Sequence, residues 1–242
     1  MTATAGAVVT RNGRVAIADG GVAARRFAAL PALLYRRDPS WTPPLPGEER
    51  DAFDPTRNPS LHAIQCRRWI LLEGDDVVGR IAGFTSAGQA GVGYFGFFEC
   101  PDRPDDARAL LGAVEEWLGQ RGCRQCFGPI SVTPRDRIGM LTDGFDRPAM
   151  MFTPYNPAYY PALLEGAGYT SAIGLRAYGW SPEYADPRGV ARLAARASSG
   201  SGLRIRPLRL DRLQEETRLV ARMINSTLKG TWHFDPISEL EA

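Results

Sequence analysis

Four groups of side chains along these 242 residues have types and spacing suited to chemistry. Glu99 closes the aromatic run Tyr94-Phe95-Gly96-Phe97-Phe98, and a carboxylate at a strand end can act as a general base or simply face water. Tyr155, Asn156, Tyr159 and Tyr160 gather hydrogen-bonding groups, and Asn156 ahead of Pro157 also has the sequence of a helix N-cap. Cys123-x-x-Cys126 has a spacing used in zinc and redox sites. Its complement is missing, since Cys66, Cys100, His62 and His233 are isolated and positions three apart on a strand face opposite sides. No metal is therefore expected. Pro134-Arg135-Asp136-Arg137 can meet an anionic ligand or stand in solvent, and Asp136 with Glu99 would supply the carboxylates of a hydrolase. There is no nucleophilic serine elbow and no P-loop.

The elements that must position these groups follow from periodicity. Ala107, Leu110, Leu111, Val114, Trp117 and Leu118 form an apolar stripe of helical period between two strand-like runs, Tyr94–Glu99 and Gln125–Ile130. Asp105 and Asp106 suit the positive start of that helix, and Gly122 stands where it should stop. Strand, helix, strand at this spacing predicts a βαβ unit with parallel strands and a right-handed crossover. Ligands of such units sit at the carboxyl ends of the strands, here Glu99–Asp106 and Gly128–Arg137, a span that includes Ser131. Upstream, Arg14–Ala18 reads as a strand and Val22–Arg36 as a helix that Pro31 should kink or break. A proline-rich stretch allows only a short helix over Pro46–Phe53. Arg68–Glu73 and Val77–Thr85 flank Gly74-Asp75-Asp76 as a hairpin. A long irregular loop over Ser131–Tyr155, a helix over Pro157–Ala167 and a last strand over Tyr169–Trp180 follow. The fold class is α/β, with a mixed sheet.

The chain is 44% hydrophobic and 23% charged, an ordinary globular balance. Its net charge of +2, from 29 basic and 27 acidic residues, makes no case for nucleic acid. No run reaches membrane-spanning length, the first residues lack the pattern of a signal peptide, and four cysteines are no disulfide framework. A cytoplasmic protein that contacts no membrane is the expectation.

The element order resembles the GNAT superfamily of N-acetyltransferases. The residues that carry the resemblance are the hairpin Trp69–Phe84, the run Phe95–Cys100 with its helix, and Asn156–Tyr169, which ends in the Gly168-Tyr169 pair. More narrowly, FGFFEC and YNPAYY are similar to a bacterial GNAT-like subgroup without an assigned substrate. The resemblance implies that an acyl-CoA cosubstrate enters between splayed central strands and that an amine attacks its thioester directly. It implies Glu99 as base and Tyr160 as the acid for the departing thiolate. It further implies Phe98, Cys100, Arg103 and Asn156 around the cosubstrate, with Ser131, Asp136 and Tyr155 toward a small-molecule amine. The sequence departs from the family twice. The loop Cys100–Ala107 has no glycine, and Leu164 stands where the family usually has its tyrosine, one turn beyond Tyr160. Pro101 and Pro104 lack N–H groups, and Glu99, Asp102, Asp105 and Asp106 outweigh Arg103, so weak acyl-CoA binding at this loop is expected. The alternative to an acyltransferase is a non-catalytic GNAT-fold scaffold.

Beyond Ser181 the composition changes. The chain divides into a GNAT-like domain over 1–185, a Gly/Ser-rich linker over 186–202 that opens with a short helix, and the start of a second, incomplete unit over 203–242. In that unit Leu203–Leu208 reads as a strand and Leu210–Leu228 as an amphipathic helix able to self-associate. Truncation ahead of it is expected to leave the first domain folded.

Overall fold

The protein is described by a computed structural model covering residues 9–11, 13–133, 137–150, 153–179, 181–184, 186–199 and 206–241. It is a mixed α/β fold built on a five-stranded sheet in the order β1-β2-β3-β4-β5. The strands are β1 (Arg14–Ile17), β2 (Cys66–Glu73), β3 (Asp76–Thr85), β4 (Val92–Glu99) and β5 (Gln125–Phe127). The helices are α1 (Gly21–Leu34), α2 (Glu48–Asp51), α3 (Pro104–Gly119), α4 (Tyr160–Gly166), α5 (Pro187–Ser198) and α6 (Leu213–Leu228). The first four strands pair antiparallel, and β4 and β5 pair parallel with α3 between them, as the βαβ spacing predicts.

Alternation along the strands divides the core in two. Trp69, Leu71, Ile81 and Phe95 point to the face covered by α3 and α4. Ile70, Ala82, Phe84 and Tyr94 point to the face covered by α1, where Phe27 is fully buried. All six residues of the predicted stripe on α3 are buried. Both helices that end on glycine do so in the same way. Gly122 (φ 76°) lets the Cys123 N–H reach the Leu118 carbonyl at 3.1 Å, and Gly168 (φ 94°) lets the Tyr169 N–H reach that of Leu164 at 3.0 Å. Tyr169 then packs on Phe95 and donates to Glu115 Oε1 at 2.7 Å, which seats α4 against α3.

Several expectations are corrected. Pro31 lies inside an unbroken α1, one turn before its end. β5 stops at Phe127, because Pro129 has no N–H to continue the ladder. Residues 169–179 form no strand; Gly174 and Gly179 interrupt the run, and Ile173, Leu175 and Tyr178 are exposed. In the stretch over 186–202, helix α5 occupies most of the expected linker, with the Asp186 carboxylate accepting from the Arg188 N–H at 3.1 Å. Of the strand expected at Leu203–Leu208, residues 203–205 lie outside the described residues and 206–208 are irregular. The apolar side of α6 is largely open, with Leu213, Val220 and Met223 exposed. No helix among the described residues is long and apolar enough to cross a membrane.

Candidate active site at the end of β4

β4 continues from Phe95 to Glu99 beyond its last pair with β5, Tyr94↔Phe127. In this stretch its pairing with β3 shifts register, so that Ala82 faces Gly96 while Arg80 faces Glu99. Two residues, Phe97 and Phe98, therefore oppose one, Ile81, in a β-bulge, and Phe97 takes a left-handed φ of 52°. The bulge reverses the alternation: Phe97 packs with Phe27, Phe53 and Phe84 on the α1 side, and Phe98 packs against Tyr160 on the other. Without the extra residue Glu99 would share the face of Phe95. With it, Glu99 lies across from Arg80, on the side of α1 and α2.

Glu99 is only 7% exposed, and its two oxygens have different surroundings. Oε2 accepts from the hydroxyls of Tyr35 at 2.5 Å and Tyr160 at 2.7 Å. Oε1 faces the Arg80 guanidinium at 3.6 Å. The Tyr160 hydroxyl also accepts from the Cys100 N–H at 3.0 Å, so it links the carboxylate to the backbone just past the strand. Burial raises the proton affinity of Glu99 above the ordinary carboxylate range, and Arg80 and the two tyrosine donors only partly oppose it. Tyr35 and Tyr160 are both pushed well upward, first by burial and then by the Glu99 charge, so each stays a phenol and a donor.

Arg80 is placed by a proline. Pro31 offers no N–H to the Phe27 carbonyl four residues back, and Arg80 Nη1 donates to that carbonyl instead, at 3.0 Å. Nη1 and Nη2 together fork onto Glu49 of α2, at 2.5 and 3.0 Å. Neighbouring Glu48 bonds Arg137 at 2.8 Å, which ties α2 to the loop after β5. The arrangement is a carboxylate of raised proton affinity with two phenol donors and a guanidinium behind it. It can take up a proton and pass one through Tyr160.

The structure brings Glu99, Tyr160, Phe98 and Cys100 together, with the Phe98 and Cys100 side chains inside the core. Burial, helped by Asp106, pushes the Cys100 thiol up to about 12. Tyr155 joins through the Tyr35 ring, edge-on at 5.6 Å, and its hydroxyl donates to Asp38. Arg103 is already paired with Glu73 and Asp106 at the start of α3. Asn156 does not cap a helix, since α4 begins at Tyr160. Its side chain accepts from the Leu141 N–H at 2.8 Å and donates to the Leu141 and Pro157 carbonyls, which pins the long loop to the α4 approach. The Ser131 backbone accepts from Thr133 and donates to Arg137, and Asp136 lies outside the described residues. Cys123 donates to the Val92 carbonyl, and burial pushes Cys126 up to about 12. Sequence reasoning missed Tyr35, Arg80 and Glu49. A signal for Arg80 existed: it is the one charged residue within Val77–Thr85, an otherwise apolar strand.

Two curated proteins are similar to this chain over most of its length. A bacterial ceramide synthase of Caulobacter vibrioides is 31% identical over 223 residues, covering 90% of this chain and 58% of that protein. Protein YghO of Escherichia coli is 30% identical over 222 residues, covering 90% of this chain and 56% of that protein. The chain thus spans a little over half the length of the curated relatives it matches. No family model matches it, and no solved structure matches it.

Proposed function

We propose that this chain carries a GNAT-type N-acyltransferase site that moves an acyl group from a thioester, acyl-CoA, to the amine of a lipid-like base. The observation that carries the reading is the buried Glu99 carboxylate, held by two phenols at the carboxyl end of β4 beyond its last pair with β5. Similarity to a protein named for ceramide synthesis supports the class, because ceramide is an amide of a fatty acid and a long-chain amino alcohol. In the proposed step the amine nitrogen attacks the thioester carbonyl, the C–N bond forms and the C–S bond breaks. Glu99 takes the proton that the nitrogen loses. The Tyr160 hydroxyl gives a proton to the departing thiolate and recovers one from Glu99, so no free phenolate forms, in keeping with its raised proton affinity.

The start of α3 does not fit a pyrophosphate. Pro104 opens the helix, Asp105 and Asp106 occupy its first turn, and Arg103 is held by Glu73 and Asp106. No step is routed through that loop. The same observation favours a second reading, a GNAT-fold scaffold that no longer turns over. Incubation with acyl-CoA and long-chain amines, with thiol release followed by colour, separates the two. Turnover lost in Glu99→Gln supports the enzyme. Acyl-CoA binding undetectable by calorimetry, with no thiol released, supports the scaffold and defeats the first reading.

A further inference from the structure

The proline-rich stretch between α1 and β2 delivers Glu49 to a charge that another carboxylate also faces. Arg80 and Glu99 are directly paired across β3 and β4, and Arg80 is 3% exposed. Yet its hydrogen bonds go elsewhere: two to Glu49 and one to the Phe27 carbonyl, while Glu99 is left at 3.6 Å. We propose that Glu49 is a positioning residue for Glu99: its carboxylate clamps the Arg80 guanidinium at two points and so keeps that charge from closing onto Glu99. The proton-accepting role of Glu99 rests on the acyltransferase reading; the competition for Arg80 does not.

The geometry leaves little else to compete. Glu99 is faced by Arg80 from β3, Tyr35 just past the end of α1, Tyr160 at the start of α4 and more distantly Tyr159 before it, Glu49 from α2, and Cys100 on its own strand exit. Of these only Arg80 carries positive charge. An opposite charge within about 4–6 Å typically lowers a carboxyl midpoint by about 1–3 pH units; Arg80 already acts on Glu99 from 3.6 Å, and a direct hydrogen bond would deepen that effect. While Glu49 holds the fork, Glu99 keeps a high proton affinity, as burial dictates and as the Glu49 charge itself reinforces. Once released, Arg80 needs only a side-chain swing to reach Oε1, since the backbone pairing already sets the two residues opposite each other.

The test is a carboxyl-carbon NMR titration of the full chain labelled at glutamate, with Glu99 assigned through Glu99→Gln. In Glu49→Gln the Glu99 midpoint is expected to fall by about 1 pH unit, from the freed Arg80 together with the lost Glu49 charge, and Glu49→Asp isolates the clamp. Glu49→Asp, which keeps the charge but shortens the arm, should fall between native and Glu49→Gln. Glu48→Gln, which disturbs the Arg137 and Leu45 contacts and touches neither Arg80 nor Glu99, should leave the midpoint in place. Circular dichroism confirms that each variant is folded, and Glu49→Asp carries the test if Glu49→Gln does not fold. A folded variant of either kind with an unmoved Glu99 midpoint overturns the proposal. Thiol release against pH then separates the two readings: a moved midpoint with no turnover in any variant keeps the clamp and removes the enzyme. Turnover whose acid limb shifts down with the midpoint supports both.

Discussion

At one end of β4 the Glu99 carboxylate is held by side chains from the residue after α1, from β3 and from α4; at the other, the Tyr94 hydroxyl meets His233 Nδ1 at 3.2 Å, from far down the chain. The first end is closed by elements that belong to the sheet's own cover. The second is closed by the segment after α6. Trp232 and His233 pack on Phe127, Asp235 is buried beside Gly88, and Glu241 accepts from Ser60 at 2.6 Å. One aromatic strand thus ends in a charged network at its carboxyl end and in a docked aromatic segment at its amino end. What covers each end of this strand is set by distant segments of the chain and not by the strand's own aromatic residues.

The largest expected effect lies at the carboxyl end. Glu99→Gln keeps the shape and both phenol contacts but cannot take a proton, so thiol release should fall roughly 10²–10⁴-fold. A loss under tenfold would remove Glu99 from the chemistry.

Next comes the structural side of the same residue pair. Tyr160→Phe leaves the buried Cys100 N–H without its acceptor and Glu99 without one donor. Urea unfolding should show a loss of roughly 1–3 kcal/mol. An unchanged midpoint would mean that the network is slack.

At the amino end, removal of residues from Ser198 onward should leave a folded domain of lower stability, because Tyr94, Phe127 and the Gly88 turn lose their cover. His233→Ala should reproduce part of that loss, roughly 1–2 kcal/mol, through the Phe127 and Trp232 contacts and the Tyr94 bond. Neither change should move the Glu99 midpoint. If either does, the two ends are coupled.

The smallest effect is a difference in sign with pH. Burial lowers the His233 proton affinity, opposed by Asp235, so its folded midpoint lies below its unfolded one near 6.5. Its contribution is present above the unfolded midpoint and is lost as pH falls through the folded one. Glu99 runs the other way. Its folded midpoint is raised, so the folded state binds the extra proton, and stability from this group declines as pH rises from the unfolded carboxylate value of about 4.3 through the folded one. Urea midpoints across pH in His233→Phe and Glu99→Gln should lose these opposite slopes separately. Slopes of equal sign would contradict the assigned environments.

Much of the frame was legible. The stripe on α3, the hairpin, the parallel pair and both glycine helix ends follow from period and local backbone chemistry, which neighbouring residues decide. Glu99 and Tyr160 were each singled out from the sequence, and the structure joins them by a hydrogen bond. Tyr35, Arg80 and Glu49 were not, since three separate elements bring them to one point. Residues 169–179 misled for the converse reason: their composition suits a strand, but a strand exists only where a partner edge receives it.

Local residue pattern sets which segments become helix and strand around β4, because burial of a stripe and the φ of glycine are local requirements. It also determined that Phe27 would have a spare carbonyl, because Pro31 has no N–H to give it. Tertiary structure alone decided which group takes that carbonyl. It decided through the bulge at Phe97 that Glu99 faces Arg80, and through the path of the proline-rich stretch that Glu49 reaches the same guanidinium. A one-residue slip in register turns a side chain to the other face of a sheet, and it depends on how two strands meet, which neither strand's sequence states alone.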